Sequence, residues 1–456
     1  YKMSAATVCT SNITSGFIDL ATYDELEKYL YGGQQATAYF VRETRKATWF
    51  TLVPVVLSRA NGNGDFGTDH SVNISRAGDY LLATWLRVTT PAVQITGGSG
   101  SNWSPVAGTT YKLVRWTRNF MHNLIAECCI TFNDLVAARF DNYHLDFWAA
   151  FTVPAGKQNG YKNMIGDVPD MTEPHVAGTG TGLPAMTLNL PLPFFYARDS
   201  GVALPTAALP YNEMRITYSF RNWQDLLIVD TVTVDTAGCP TAVSSSGWNS
   251  AGATLLTPTP SLSLCQTWAN YAIVANDERK RMACAPRNIL IEQVQTAPAQ
   301  NFNPSTNTTP SYDLRFSHAI KVLFFAVRNT TNPSEWSNYT TCMPTITVGG
   351  IVCSGSPTGL SALVNYASLH AVDPIVNASL TYENTARLAA MGSDYYSLVQ
   401  PWYHAPVIPN ETGYHMYSYS LDFICLDPKG STNYGKLTNV SIALTASAAA
   451  VLTAGG

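Results

Sequence analysis

Three glycines, Gly62, Gly64 and Gly67 in the run NGNGDFG, have the GxGxxG spacing with which a dinucleotide-binding loop presents backbone amides to a pyrophosphate. That chemistry requires a helix opening after the glycines. Strand-like SVNIS follows instead, so the run reads as a glycine-rich connection between strands. No GxSxG elbow, HExxH, P-loop or EF-hand loop occurs. The eight histidines, His70, His122, His144, His175, His318, His370, His404 and His415, lack metal-ligand spacing. Nine cysteines, Cys9, Cys128, Cys129, Cys239, Cys265, Cys284, Cys342, Cys353 and Cys425, include no CxxC pair, which disfavours zinc and a regular disulfide framework. Buried free thiols in a reducing compartment are expected. The charge run Asp277-Glu278-Arg279-Lys280-Arg281 mixes acids with bases and reads as a solvated or salt-bridged turn rather than a phosphate contact. N-x-[ST] sequons stand at Asn12, Asn73, Asn102, Asn307, Asn329, Asn338, Asn377, Asn410 and Asn439. With no signal-peptide pattern at the N-terminus, they are read as unused acceptors. No catalytic residue, metal or cofactor is therefore expected.

The framework around these residues is apolar and poorly charged. Of 456 residues, 46% are hydrophobic and only 13% charged, about half the roughly 25% usual for soluble domains. A net charge of −4 with 11% aromatics excludes disorder. The 27 Lys+Arg against 31 Asp+Glu leave no basic field for wrapping a genome or for sequence-specific nucleic-acid binding. So little charge implies that other subunits cover much of the surface. The most apolar run, Ala319 to Val327, is strand length and contains Lys321, so no membrane span is expected.

Short runs rich in Val, Ile, Thr, Tyr and Phe, punctuated by Gly, Pro, Asn and Ser, predict an all-β sandwich architecture. Strands are expected at Ala38 to Arg42, Trp49 to Leu57, His70 to Ile74, Tyr80 to Val88 and Tyr111 to Trp116. Further strands are expected at Met214 to Phe220, Ile289 to Val294, Ile320 to Val327 and Tyr414 to Phe423. The spacing Tyr23, Leu26, Leu30 predicts a short amphipathic helix, with Thr22 and Glu25 as capping box and Gly32-Gly33 as stop, its pattern favouring packing on its own domain over docking on a partner or membrane surface. From Asp141 through Phe151, His144, Phe147, Trp148 and Phe151 share one helical face, read as core. Asp167 to Gly182 and Thr236 to Pro260 read as linkers or long loops, and no short repeat suggests a propeller or solenoid. The expected organisation is an arm over 1–33, a first β domain over 34–222 and a second over 223–456.

The segment PLPFFYARDSGVALPTAALPYNEMRITYSF carries Pro193, Phe194, Phe195, Gly201, Ala203, Leu204, Pro205, Leu209 and Tyr211. It resembles a signature of the major capsid proteins of nucleocytoplasmic large DNA viruses. NYAIVANDERKRM, with Glu278 and Arg279, ILIEQVQT, with Glu292 and Gln293, FSHAIKVLFFAVRN, with His318, and LDPKGSTNYGKLTNVSI, with Gly430, Ser431 and Asn433, extend the match. With GFIDLATYDELEKYLYGG, FNDLVAARFDNYHLDFW and others in order from about Ser15 to Ile442, the chain resembles the iridovirus major capsid protein family, closest to its fish and amphibian branch. Divergent stretches, Thr231 to Thr259 and Met343 to His370, are expected to be outward loops.

The resemblance implies a double jelly roll, two eight-stranded antiparallel sandwiches in one subunit. It further implies homotrimers of nearly hexagonal outline that tile an icosahedral shell, over minor capsid proteins and an inner membrane. It places the chain in the virion, assembled in the host cytoplasm, with outer loops as candidate receptor contacts. The helix bearing Tyr23, Leu26 and Leu30 is the candidate inward contact. Relative to the family, Tyr1-Lys2 precede the expected start at Met3, and TASAAAVLTAGG stands where the family continues into another apolar strand. The 24 Tyr and 10 Trp on a β framework leave one rival, a carbohydrate-binding or glycan-cleaving jelly roll with paired carboxylates in a cleft.

Overall fold

The computed structural model describes residues 13–42, 44–95, 108, 110–174, 182–234, 240–255, 258–342, 346–348, 351–353 and 372–453. Met3, Cys9, Asn12, Asn102, His175, Cys239, His370 and most of Met343 to His370 lie outside the described residues. The chain divides into an N-terminal unit, Tyr1–Trp49, and a body, Phe50–Gly456.

The N-terminal unit holds α1 (Ile13–Ala21) and α2 (Glu25–Tyr31), neither with a buried residue. The cap of α2 is Asp24, whose carboxylate accepts from the Leu26 amide at 3.0 Å, while the Gly32 amide donates to Lys28 O and stops the helix. Thr22 is not the cap. Helix α1 was not foreseen, and the Thr22 hydroxyl closes its end by donating to Asp19 O. The strand expected at Ala38 to Arg42 does not form, and Tyr39 and Phe40 are fully exposed.

In the body, the first strands are β1 (Phe50–Val56), β2 (Ser58–Asn61), β3 (Asp69–Asn73), β4 (Tyr80–Thr89), β5 (Thr110–Trp116) and β6 (Ile125–Phe132). They continue with β7 (Leu135–Asp141), β8 (Thr187–Pro191), β9 (Met214–Phe220), β10 (Leu227–Val234), β11 (Pro240–Gly247) and β12 (Leu264–Val274). Hydrogen bonding orders them β1-β12-β4-β8 and β2-β3-β9-β6-β7, all antiparallel. With β1, β3, β4, β6, β7, β8, β9 and β12 taken as strands B to I, the two sheets read B-I-D-G and C-H-E-F, which is a jelly roll. Period-two burial produces its core. On β4, Leu86 and Val88 point in; on β9, burial alternates along every residue, with Ile216 and Tyr218 inward. Tyr218 OH meets Thr267 Oγ1 at 3.0 Å and ties the two sheets. A third sheet, β11-β10-β5, is built from the D–E and H–I connections. Strand β12 therefore completes the first roll, and the boundary expected at 222–223 falls inside that roll's H–I connection. The Ser-, Thr- and Gly-rich text there reads locally like a linker although it joins two strands of one sandwich.

The second roll contains β13 (Ser311–Asp313), β14 (Ala319–Ile320), β15 (Val322–Phe325), β16 (Ile346–Val348), β17 (Ile351–Cys353), β18 (Ile375–Tyr382), β19 (Thr385–Gly392), β20 (His415–Ser418), β21 (Thr432–Asn433) and β22 (Val440–Ala446). The order β13-β22-β18-β19 repeats C-H-E-F, and the β15-β20 ladder repeats D-G. The two rolls agree in detail. Each E–F hairpin turns through two residues of positive φ, Asn133 and Asp134 in the first, Glu383 and Asn384 in the second. In both, the first turn amide donates at 2.9 Å to the carbonyl just ahead of strand H, Asn133 to Glu213 and Glu383 to Asn439.

Ile289 to Val294 does not join a ladder. In the first roll, strand B pairs with β12, the strand after H, whereas β22 is followed by the helix Ala448–Thr453. Ile320 to Val327 is divided between β14 and β15, and only His415–Ser418 of Tyr414 to Phe423 is strand. The glycine run is the β2–β3 connection as expected, with positive φ at all three glycines. At Gly62 a Cβ would lie 2.0 Å from Asp69 O. The charge run is a helix, Asn276–Cys284, rather than a turn. Among the described residues, no helix is long and apolar enough to cross a membrane and no His, Cys, Asp or Glu cluster could hold a metal ion. Cys128, Cys129, Cys265, Cys284, Cys342 and Cys425 are free, but Cys284 is exposed, contrary to the expectation of burial.

Candidate functional site

The chemistry of this chain is concentrated where its two rolls meet. Between β15 and β18, residues 328–342 of the second roll insert into the first, carrying buried polar groups that must find partners there. Arg115 on β5, 1% exposed, donates from Nε to Asp230 on β10 at 2.7 Å and from Nη2 to Glu335 at 2.7 Å. Burial opposes its charge, but the two carboxylates outweigh that, and the guanidinium is held above its ordinary pKa. Next to it, Trp336 lies between the guanidinium groups of Arg221, 3.9 Å from the ring centroid, and Arg328, at 3.7 Å. Its indole donates to Asp225 O and its amide to Thr117 Oγ1.

Asp146 forms a second hub. It lies on α4 (Asn142–Thr152), which Asp141 caps by accepting from the His144 amide. Its carboxylate accepts from the Ser337 and Tyr339 hydroxyls, each at 2.7 Å, and contacts His122 Nδ1 at 2.7 Å; His122 lies on α3 (Phe120–Leu124). The aromatic stripe of α4 is core, as expected, but the core lies on the second roll. Phe147 and Phe151 sit 5.7 and 5.5 Å from Phe324 of β15, and Trp148 meets Phe423. His144 is half-buried with its Nε2 shielded from water, and its pKa is driven down to about 3 by desolvation, helped by Arg198.

The signature residues divide among three places. Phe194, Phe195, Ala203 and Leu204 are buried, Leu204 bridging to Leu81 of β4, and Pro193, Gly201, Pro205 and Leu209 complete that wrap over the first roll. Arg279 joins it by donating to both oxygens of Asp79, which also accepts from the Val274 amide; Glu278 instead faces Arg287. Glu292 pairs with Arg198 of the first roll and Lys321 of the second, and Gln293 donates to Ala137 O, so the segment that lacks a ladder is tied by side chains. Asn433 pairs with Ala319 in the β14–β21 bridge, and the carbonyl of His318, with φ +64°, accepts from the Tyr434 amide next to it; Gly430 and Ser431 lie at the surface. Tyr211 is exposed and joins none of these groups. Tyr23, Leu26 and Leu30 are exposed in the N-terminal unit. Arg115, Asp146, Glu335 and Trp336 were not foreseen, since nothing local marks a polar residue as facing a partner 200 positions away.

Two jelly rolls in one chain are the double jelly-roll fold of viral capsid proteins. A chain of the PBCV-1 virus capsid superposes with TM-score 0.66 at 21% identity, over 91% of this chain and 90% of that one. The model "Major capsid protein N-terminus" matches residues 38–274 and "Large eukaryotic DNA virus major capsid protein" matches 278–456. Major capsid proteins of Simulium iridescent virus and Invertebrate iridescent virus 6 are 60% and 59% identical, each over 98% of this chain and over 89% and 91% of theirs. The chain belongs to the major capsid protein family of large eukaryotic DNA viruses, in its iridovirus group. Its role is structural, in the virion capsid, and not enzymatic. The expected closeness to the fish and amphibian branch is overturned, because the lymphocystis disease virus 1 and frog virus 3 relatives are only 50% and 44% identical, each over 98% of this chain and over 91% and 90% of theirs.

Proposed function

We propose that the chain forms homotrimeric capsomers of pseudo-hexagonal outline that tile an icosahedral shell. The observation supporting this is the internal duplication: equivalent E–F turns, C-H-E-F orders and D-G ladders give one chain two alike corners, so three chains supply six. The buried seam at Arg115, Asp146 and Trp336 fixes the angle between those corners. Light scattering on the purified protein tests the reading, with three times the 49.5 kDa chain mass expected and a dominant monomer overturning it.

In this reading the first roll ends at Val274, and the helix Asn276–Cys284 joins it to the second. The buried signature residues hold each roll and their junction rather than bind a ligand. The exposed faces of α1 and α2 serve the inward side, where minor capsid proteins or the inner membrane would meet them, and outer loops serve receptor attachment. Assembly is placed in the host cytoplasm. Deleting residues through Gly33 should leave trimers intact and impair shell closure; normal virions from that deletion would refute the role of the arm.

A further inference from the structure

The duplication leaves one contact made on one side of the chain and missing on the other. In the first roll, the helix after strand F is α4, and its Phe147 and Phe151 pack on the outward side of the second roll's D–G ladder, where Phe324 stands opposite Met416. The corresponding segment of the second roll follows β19 as a π-helical turn, Tyr395–Val399, that runs directly into the α-helix Gln400–His404; Tyr396, Ser397, Gln400 and Pro401 face inward. Its Trp402 and Tyr403 are 71% and 72% exposed.

The first roll's own D–G ladder offers a similar outward face. Its inward residues, Leu86, Val88, Leu188 and Leu190, fill the core, which leaves Trp85 opposite Pro191 on the outside. Trp268 of β12 stacks on Trp85 with centroids 6.1 Å apart and rings 10° from parallel, and Val56 of the edge strand stands opposite Trp268. The Trp268 indole N–H is shielded from water and has no hydrogen-bond partner. A shielded, unpaired indole on an outward aromatic face fits a surface that a partner covers.

We propose that Trp402 and Tyr403 of one copy dock on the Trp85–Trp268 face of the next copy's first roll, repeating between chains the contact that α4 makes within the chain. The occupant is a second copy because this chain itself carries the helix equivalent to the one already seated on the equivalent face. Helix and face are different surfaces, so the contact is head-to-tail and closes into a ring when the rotation permits. This rests on the homotrimer reading and names its seam.

Trp402→Glu with Tyr403→Glu is the test, since both side chains are exposed and the monomer keeps its core. Buried aromatic anchors at interface centres commonly cost about thirtyfold or more each in affinity. The double variant should therefore be a folded monomer, by circular dichroism and light scattering, at concentrations where the parent is a trimer. A trimeric variant overturns the proposal and leaves the homotrimer reading standing; a monomeric parent overturns both. Mixing this variant with Trp85→Glu should restore one seam and produce dimers. If the mixture stays monomeric while Trp85→Glu alone is folded, the head-to-tail pairing is refuted.

Discussion

Replacing Arg115 by methionine should be among the most damaging single changes in the body. The guanidinium is enclosed, with Asp230 and Glu335 each 2.7 Å away and at most 1% exposed. Its loss leaves two buried carboxylates facing each other. Asp230 keeps the Ser245 hydroxyl, whereas among the described residues only Arg115 donates to the Glu335 carboxylate. Removing one partner of a buried ion pair costs about 3–5 kcal/mol, and the second stranded carboxylate places Arg115→Met at or above the top of that range. The triple change Arg115→Met, Asp230→Leu, Glu335→Met removes all three desolvated charges and should recover most of the loss. Urea unfolding, followed by tryptophan fluorescence and far-ultraviolet circular dichroism, measures both variants. A cost below about 1 kcal/mol for the single variant, or a triple variant no better than the single, would refute the reasoning.

Three further outcomes are expected. His144 is neutral when folded, with a pKa near 3 against about 6.5 unfolded, so its contribution is complete above pH 6.5 and lost as pH falls from there towards 3. His144→Leu should flatten the acid limb of stability over that window, and an unchanged pH profile would count against a desolvated neutral ring. Mass-mapped alkylation should label exposed Cys284 quickly and spare Cys128 and Cys265, whose thiols burial pushes up, the latter to about 12, until the fold is opened. The Leu57 amide bonds to Thr267 O, so antiparallel alternation turns the even-numbered residues of edge strand β1 outward, and Pro54 leaves that edge without one amide. Pro54→Val should raise light-scattering aggregation severalfold on heating, with equal aggregation showing that the edge needs no such guard.

Alternation and helical period were legible wherever the partner of an element did not matter. Strand β9, Met214–Phe220, formed over the expected residues because one inward face buries every second side chain. Ile289 to Val294 has comparable strand-forming residues but no ladder, since a strand exists only beside another and that neighbour is not a local property. The same limit applied to α4: period 3.6 identified an apolar face but could not say that the core it enters belongs to the other roll. A chain with only 13% charged residues carries the expectation of a partly covered surface. Some of that charge is spent inside, at Arg115, Asp230, Glu335 and Asp146, which leaves the exterior poorer still. Which exterior face we propose is covered follows only when the two rolls are compared. The aromatics of α4 are covered within the chain whereas Trp402 and Tyr403 are exposed, and with the outward Trp85–Trp268 face they turn a deficit of charge into a testable pair of surfaces.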